Sequence, residues 1–404
     1  MPWPDNTPPM IRTDHTNPFA HDTMQRRVPD IVTHVLKLNA DYPAPIRRAL
    51  ESLRDAMPAD APILPLELPA PDWPNWEAEI AARTGHSWLH TDWFYAENYA
   101  YRLIIQAVRW WETGRDPFLP IKLEEQFSED MPALIEAALA VSGSPEARLH
   151  AQLHGALWGN RIDLSYAPST EHGVTVHDDD LLVDDSAAVV EHLLAARSRN
   201  WLRPDPGDMH IVADNFGREL AMDLVLADEL LSGHHGDAAQ AVASRVFLHV
   251  KMHPVFVSDA TAEDVRRFIA SMSKGEIGSD AQDLGIRLQA AREAGRFRLA
   301  PDLFWDSATV LWNLPPRLYD LFRAARLVIL KGDANYRRMA GDAAWSADIP
   351  FAAMTGYFPA PLLAMRALKS DVIVGLQPGE AEYLDGIDAA WRTNGKRGVL
   401  QFKP

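Results

Sequence analysis

The 404-residue chain contains no cysteine, so it can form neither disulfides nor thiolate metal ligands. It also lacks any apolar run long enough to span a bilayer. Its first residues, Met1-Pro2-Trp3-Pro4-Asp5, lack the basic and apolar regions of a secretory signal. We therefore expect a cytoplasmic protein without membrane contact.

Basic residues are scarce relative to acidic ones. Lys and Arg total 39 against 56 Asp and Glu, which gives a formal net charge of -17. Such a balance disfavours binding to a nucleic-acid backbone or an anionic membrane surface. Cationic metals and locally basic pockets are compatible with it, so a small-molecule partner is expected rather than nucleic acid.

The hydrophobic pattern changes near residue 205. Upstream segments are mostly helical, whereas alternating strands and helices follow and favour a mainly parallel sheet covered on both faces. We predict an α/β fold in which an N-terminal all-helical domain (18–204) packs on a C-terminal three-layer α/β/α domain (205–404). Residues 1–17 are predicted to form a loose arm.

Some local predictions accompany this division. A helix is expected from Asp22 to Val35, with a break or late start at Pro29. The proline-rich residues 58–76 favour an extended surface segment. Near the C-terminus, residues 360–368 are read as a helix and residues 371–376 as a final strand.

One stretch organises the functional prediction. Residues 209–213 read as a short buried strand that stops at Asp214 and Asn215, turns at Gly217 and leads into a long helix. In open α/β sheets, ligands lie beyond the carboxyl ends of the strands. Asp214 and Asn215 could hold a hard cation there. The alternative, that Asn215 simply caps the helix, explains this stretch equally well when it is considered alone.

Two later segments repeat the arrangement and favour a site. Asp259 follows the apolar residues 255–257 and precedes a capping-box-like helix start at Thr261. A third apolar run, 326–331, ends in Gly332-Asp333-Ala334-Asn335-Tyr336-Arg337. Since parallel strands bring their ends to one edge of a sheet, we expect Asp214, Asp259 and Asp333 to converge.

These motifs carry a family resemblance. Asp214 to Glu219, Val257-Ser258-Asp259 and Lys331 to Arg337 look like the signature motifs of the damage-control phosphatases, formerly a numbered domain-of-unknown-function family. The chain most resembles the sugar-phosphate-acting subfamily. That resemblance implies a metal-dependent phosphatase for small sugar phosphates, of the fructose 1-phosphate or fructose 6-phosphate type, or for damaged phosphometabolites. It also implies that residues matching Asp333 to Arg337 and Lys369 contact the sugar phosphate.

The residue types support a chemical assignment. Asp214, Asn215 and Asp259 offer only oxygen ligands, which suits Mg²⁺ or Mn²⁺, with Co²⁺ and Ni²⁺ as alternatives. A water activated by that metal is the preferred nucleophile, and covalent attack by Asp214 is the rival. The predicted substrate-binding side chains are Asp214, Asn215, Lys331, Asp333, Asn335, Tyr336, Arg337 and Lys369.

Three second-tier candidates lie upstream. Glu97 lies within an aromatic helix face, where an unpaired carboxylate is costly, and Arg102 is its expected partner. Asn160 and Asp163 belong to a segment that lies near the substrate in the resembling family. That family usually has a hydroxyl residue two positions before the lysine that corresponds to Lys369. Ala367 stands at this position instead, so the resemblance does not decide which substrate is preferred.

Two other functions stay open at this point. One is an S-adenosylmethionine-dependent protein carboxyl methyltransferase, although the glycine-rich turn that would hold its cofactor is absent. The other is a non-catalytic regulator that binds sugar phosphate. Metal-dependent phosphate release from phosphorylated hexoses and pentoses would separate all three.

Overall fold

A computed structural model describes residues 7–67, 70–159, 180–199, 207–233, 236 and 240–404. The fold is mixed α/β, as predicted. Many helices carry proline in their first turn, where its missing N–H has no intrahelical partner to lose. The helices are α1 Pro18–Asp22, α2 Val28–Leu38, α3 Ala44–Ala56, α4 Trp73–Ala82, α5 Trp93–Ala107, α6 Trp110–Thr113, α7 Leu119–Gln126, α8 Met131–Leu139, α9 Pro145–Trp158, α10 Ser186–Arg199, α11 Arg218–Ser232, α12 Ala262–Ser273, α13 Ser279–Glu293, α14 Pro316–Arg323, α15 Asp333–Ala340, α16 Phe351–Met354 and α17 Glu380–Ile387.

Seven strands form one sheet in the order β1-β7-β6-β5-β2-β3-β4. Five of the six neighbouring pairs are parallel, namely β2 with β3 and with β5, β3 with β4, β5 with β6, and β1 with β7, whereas β6 and β7 are antiparallel. The strands are β1 Leu181–Asp184, β2 Asp208–Val212, β3 Arg245–Val250, β4 Phe297–Pro301, β5 Leu327–Lys331, β6 Leu362–Ala367 and β7 Gly398–Lys403.

The strand order reverses between β2 and β5. From β2 the chain adds β3 and β4 on one side, and it then adds β5 and β6 on the other. Connections that leave adjacent strands in opposite directions open a crevice at the carboxyl ends, where α/β proteins bind ligands. The loops after β2 and β5 therefore border the expected binding crevice.

Both faces of the sheet are covered. In β5, Val328 and Leu330 belong to a core shared with the N-terminal helices, whereas Leu327 and Ile329 belong to a second core with α8, α9 and α11. All five residues of β5 are buried, which explains its continuous apolar run. The predicted parallel sheet between two helical layers is confirmed. Strand β1, upstream of residue 204, joins the sheet as an edge strand that the sequence prediction did not include.

The C-terminal local predictions were wrong. Residues 362–367 form strand β6 between β5 and β7, and residues 371–376 are an irregular segment, while the last strand is β7. The Leu-Leu-Ala-Met-Arg-Ala run has high helix propensity, but its place in the sheet decides its conformation.

The N-terminal predictions need two corrections. The first helix begins at Pro18 and runs to Leu38 through a π-helical turn, Thr23–Arg27, and Pro29 lies in the first turn of α2 without ending the helix. Residues 10–13 are not loose: Met10 pairs with Ala343, and Ile11 is buried and donates its N–H to Asp342. None of the helices in the described ranges is both long and apolar enough to cross a membrane.

Candidate active site

The loop after β2 carries the first two candidate ligands. Four of the five residues of β2 are buried, and Asp214 follows that strand after one alanine, with its side chain also buried. Gly217 then turns the chain with φ of 82° into α11. A positive φ of this size favours glycine, so the turn places Asn215 between the end of the strand and the start of the helix.

Asp259 meets this loop from β3. It does not stand at a strand end as predicted, because β3 ends at Val250 and a loop returns to the site. The return passes through Phe256 and Val257, which have φ of 49° and 68°. Such values are strained for a β-branched residue, and strain of this kind is found at functional sites. The predicted capping box at Thr261 is confirmed.

Direct contacts join the two loops. Asn215 and Asp259 form an isolated antiparallel bridge, and the N–H of Ala260 donates to the carbonyl of Asp214 at 2.8 Å. The Ser258 hydroxyl donates to the amide oxygen of Asn215, whose nitrogen donates to Asp214 Oδ2 at 2.9 Å. The expected convergence of the Asp214 and Asp259 loops is thus present.

Glu219 adds a third carboxylate to this cluster. Its Oε2 accepts from the Asn215 amide nitrogen at 3.2 Å. Burial raises the pKa of Asp214 well above its usual range, and the charges of Asp259 and Glu219 raise it further. Burial likewise raises the pKa of Asp259 to about 6, although Lys251 and Lys122 act in the opposite direction. The ionised forms of both aspartates are therefore disfavoured in the metal-free site.

Two buried lysines hold the Asp259 loop. Lys251 Nζ lies 3.3 Å from Asp259 Oδ2 and donates to the carbonyl of Trp305 at 2.6 Å. Lys122 donates to the carbonyl of Asp259 at 3.2 Å and to the carboxylate of Asp264 at 2.7 Å. Because Lys122 binds the backbone and Lys251 one carboxylate oxygen, Asp259 is fixed in position.

The turn after β5 closes the other side of the site. A Cβ placed on Gly332 would lie 2.0 Å from both Cγ and Oδ2 of Asp214, so the Asp214 carboxylate packs directly on this glycine. Asp333 Oδ1 accepts from the backbone N–H of Lys369 at 3.0 Å and from the Ser370 hydroxyl at 3.1 Å. Asp333 therefore positions the loop that carries Lys369.

The exposed Lys369 faces the carboxylates. Desolvation lowers its pKa, but Glu219, Asp214 and Asp333 outweigh that effect and raise it. Arg27, in the π-helical turn, opposes the increase with its own charge. Lys369 and Arg27 thus place two cations close to the cluster, at the edge where an anionic group could enter.

The other predicted substrate contacts point into the protein. Lys331 donates to Asp223 and to the carbonyl of Ala156, and the Tyr336 hydroxyl donates to Gln401 at 2.8 Å. Asn335 donates to the carbonyls of Ala213 and Lys331, which ties the ends of β2 and β5 together. These contacts give the three side chains a supporting position, and their contact with substrate stays a prediction.

Arg337 is also occupied. Its guanidinium donates to Glu97 at 2.6 Å and to both oxygens of Asp342, and it lies 3.6 Å over the ring of Trp93. The expected Glu97–Arg102 pair was therefore wrong, because Arg102 pairs with Asp72 instead. Substrate contact by Arg337 and Glu97 stays a prediction, and Asn160 and Asp163 lie outside the described residues.

Several residues of the site were missed by the sequence reasoning, Lys122 among them. Glu219 lies four positions after Asn215, a helical spacing that could have placed it beside the loop. Lys251 follows β3 directly, and this position at the carboxyl end of a strand could have identified it as a candidate. Glu125, which accepts from the backbone N–H of Arg218 at 3.2 Å, and Arg27 gave no signal in the sequence.

The arrangement fits a hard divalent cation. Asp259 Oδ2 is buried and, within the described part of the chain, forms an ion pair with Lys251 but no hydrogen bond of regular geometry. The amide oxygen of Asn215, which accepts from the Ser258 hydroxyl, is the third candidate ligand. In the described ranges, Asp214, Asp259 and Glu219 do not bring one carboxylate oxygen each to within 4.8 Å of one another. Two carboxylates and one amide leave positions for water, as Mg²⁺ and Mn²⁺ commonly require.

Comparison with known proteins identifies the family of the chain. Residues 23–384 match the model of the damage-control phosphatase ARMT1-like domain. The chain belongs to this family. It is 30% identical to the damage-control phosphatase ARMT1 of Danio rerio over 95% of this chain and 94% of that protein. Identity is 29% with the Mus musculus protein, with 98% of each chain covered, and 28% with that of Homo sapiens, with 95% and 96% covered.

A solved structure of a DUF89 family protein from Pyrococcus horikoshii is also similar, with a TM-score of 0.47 and 15% identity over 94% of this chain and 96% of that chain. At this distance it adds nothing to the assignment made by sequence. The matched family region contains Asp214, Asp259 and Lys369, so the cluster lies within the part of the chain that defines a damage-control phosphatase.

The raised pKa of Asp214 predicts that the stability of the metal-free protein depends on pH. The raised folded-state pKa of Asp214 favours folding at low pH, and this stabilisation is lost as pH rises through that pKa. We expect the melting temperature of the metal-free protein to fall as pH rises above the ordinary carboxylate range, and that of Asp214→Asn to fall less. Excess Mg²⁺ should raise the melting temperature of the unsubstituted protein at the higher pH and leave the variant unchanged. An equal slope in both proteins would contradict the electrostatic interpretation.

Proposed function

We propose that this damage-control phosphatase is a metal-dependent phosphomonoesterase that hydrolyses small sugar phosphates. The observation that carries the proposal is the convergence of Asp214, Asn215 and Asp259 at the switch point of the sheet, with Lys369 at its edge. Phosphoryl transfer needs positive charge around the phosphate oxygens and an in-line nucleophile. A divalent ion held by the oxygen cluster would supply positive charge and an activated water, and Lys369 would supply further positive charge.

Each residue has a defined role in this proposal. Asp214, Asn215 and Asp259 would hold the cation, which when bound neutralises phosphate charge and lowers the pKa of a coordinated water. Lys251 and Lys122 position Asp259, and Glu219 positions the Asn215 amide. Lys369 would bind the phosphate as a charged donor, and Asp333 would hold Lys369 in place.

The substrate class is the finer part of the proposal. Fructose 1-phosphate and fructose 6-phosphate are the leading candidates, from the resemblance to the sugar-phosphate subfamily. Ala367 is the last residue of β6 and lies two residues before Lys369, so the missing hydroxyl falls beside the proposed phosphate ligand. We therefore expect this position to influence which sugar phosphate is preferred.

A substrate panel tests the proposal against its rivals. Phosphate release from phosphorylated hexoses and pentoses, measured with Mg²⁺, Mn²⁺, Co²⁺ or Ni²⁺, is expected to require a divalent ion. Methyl transfer from S-adenosylmethionine without phosphate release would favour a methyltransferase instead. Binding of sugar phosphate with no turnover under any metal would favour a regulator.

The source of the nucleophile has its own test. A phosphate ester that is chiral at phosphorus is expected to give phosphate of inverted configuration, because a single displacement by water occurs at phosphorus. Retention of configuration, which two successive displacements produce, would instead establish a covalent aspartyl-phosphate route through Asp214. Phe216 stands two residues after Asp214, where enzymes of the haloacid-dehalogenase type carry a second aspartate, so we favour direct attack by water.

Replacement of Lys369 should weaken substrate binding more than it slows the chemical step. A hydrogen bond to a charged group contributes about 1.5–3 kcal/mol, so Lys369→Met should raise KM about tenfold to a hundredfold. Lys274→Met, which removes an exposed lysine at the end of α12, is the matched control and should leave KM unchanged. Equal KM values for both variants would show that Lys369 does not bind the substrate phosphate.

A further inference from the structure

A second group of potential metal ligands lies outside the active site. His150 and His154 lie one turn apart on α9, and Asp184 ends β1. One ligand atom from each of the three lies within 4.8 Å of the other two, and in the described ranges no other group of three histidine or acidic side chains meets this condition. We propose that His150, His154 and Asp184 form a binding site for a borderline-soft divalent cation such as Zn²⁺.

One ligand distance in this group matches that expected around a bound ion, and the other two are within 4.8 Å. A tetrahedral Zn²⁺ with ligand bonds of about 2.0 Å separates neighbouring ligand atoms by about 3.3 Å. His154 Nε2 and Asp184 Oδ2 are 3.2 Å apart. The imidazole rings of His150 and His154 stack with centroids 4.4 Å apart and planes inclined by 22°, so both rings face the same side of the helix.

A hydrogen bond fixes the orientation of the carboxylate. The backbone N–H of Ser186 donates to Asp184 Oδ1 at 2.9 Å, which leaves Oδ2 directed at His154. Such support of a ligand by a second group is typical of metal sites. An ion pair between His154 and Asp184 alone would explain two of the three residues, but it gives no role to His150.

The proposed site is open and separate from the phosphatase site. His150 also lines a groove between α9 and α10, so an ion could enter from solvent and keep water as its fourth ligand. Strand β1 lies four positions from β2 in the sheet, about 19 Å at the usual strand spacing. The nitrogen ligands also distinguish it from the all-oxygen cluster at Asp214.

An ion here would join α9 to the edge strand of the sheet. The last turn of α9 lies against the start of α11, because a Cβ on Gly159 would be 3.0 Å from the carbonyl oxygen of Arg218. Cation binding would therefore stabilise the helical layer behind the active site without contacting substrate. This inference stands whether or not the proposed phosphatase function is correct.

Calorimetric titration with Zn²⁺ tests the site, with excess Mg²⁺ present to occupy oxygen-ligand positions. We expect one Zn²⁺ per chain, at least tenfold weaker binding in His150→Ala and in His154→Ala, and a Zn²⁺-dependent rise in melting temperature that both variants lose. His34→Ala, which removes an exposed helix histidine of α2, is the matched control and should bind as the unsubstituted protein does. Binding that is absent, or equal in all four proteins, would overturn the proposal.

A spectroscopic readout and an activity readout complete the test. Co²⁺ in place of Zn²⁺ should give the intense visible absorption of a four-coordinate site, and His150→Ala should abolish it. With Mg²⁺ alone, His150→Ala should keep the phosphate release of the unsubstituted protein, since His150 belongs to neither the proposed catalytic nor the substrate machinery. Co²⁺ absorption that persists in His150→Ala would place the ion elsewhere.

Discussion

Alanine in place of Gly332 is expected to reduce phosphate release by about a hundredfold or more, because its methyl group would occupy the place of the Asp214 carboxylate. The added Cβ would lie 2.0 Å from Asp214 Cγ, which no rotamer adjustment of the alanine can relieve. The carboxylate must therefore move, and misplacement by about 1 Å is enough for a loss of this size. Steady-state phosphate release and Mn²⁺ affinity would measure the effect.

A second glycine separates steric displacement from backbone strain. Gly332 and Gly379 both have φ of 84°, but a Cβ on Gly379 would meet nothing within 4 Å. Both alanine variants should lose about 1–3 kcal/mol of stability from the unfavourable φ. Only Gly332→Ala should lose activity. Comparable activity in the two variants would show that the turn after β5 does not position Asp214.

Removal of either acidic ligand should have the largest effect on activity. The charge that a bound cation contributes to the transition state is worth several kcal/mol, so Asp214→Ala and Asp259→Ala should each lower kcat about a thousandfold. Mn²⁺ affinity should fall in parallel. Circular dichroism should show that both variants retain the native secondary structure.

Asp228→Asn is the matched control for these variants. Asp228 is a buried aspartate of α11 that pairs with Arg287 and lies on the same helix as Glu219. Its substitution should affect stability but leave kcat and Mn²⁺ affinity unchanged. If Asp214→Ala retained full metal-dependent activity, the two aspartates could not share the catalytic ion.

The sequence predicted those parts of the fold that are set by local patterns. Strands β2 and β5 were recognisable because both of their faces are buried and most of their residues are apolar. The capping box at Thr261 and Asp264 was recognisable because it needs only a four-residue signal. Strand β6 was missed because its leucine, alanine and methionine residues favour a helix until neighbouring strands are present.

The site was predicted in outline because parallel strands bring their ends together. Its supporting contacts were not predictable, since they join residues far apart in sequence. Arg337 pairs with Glu97 across 240 positions, and Lys122 reaches the Asp259 carbonyl across 137. No spacing rule connects such residues. For the same reason, the sequence of the polar motif Lys331 to Arg337 did not indicate that most of its side chains are buried and bound to other parts of the protein.

Anomalous diffraction from crystals grown with Mn²⁺ tests most directly whether Asp214 and Asp259 share a divalent ion. We expect one strong peak within coordination distance of an oxygen of each aspartate, with Lys369 facing it across the crevice. The peak should disappear in Asp259→Ala crystals. Mn²⁺ bound only to one of the two carboxylates, or only elsewhere on the protein, would contradict the proposed catalytic centre.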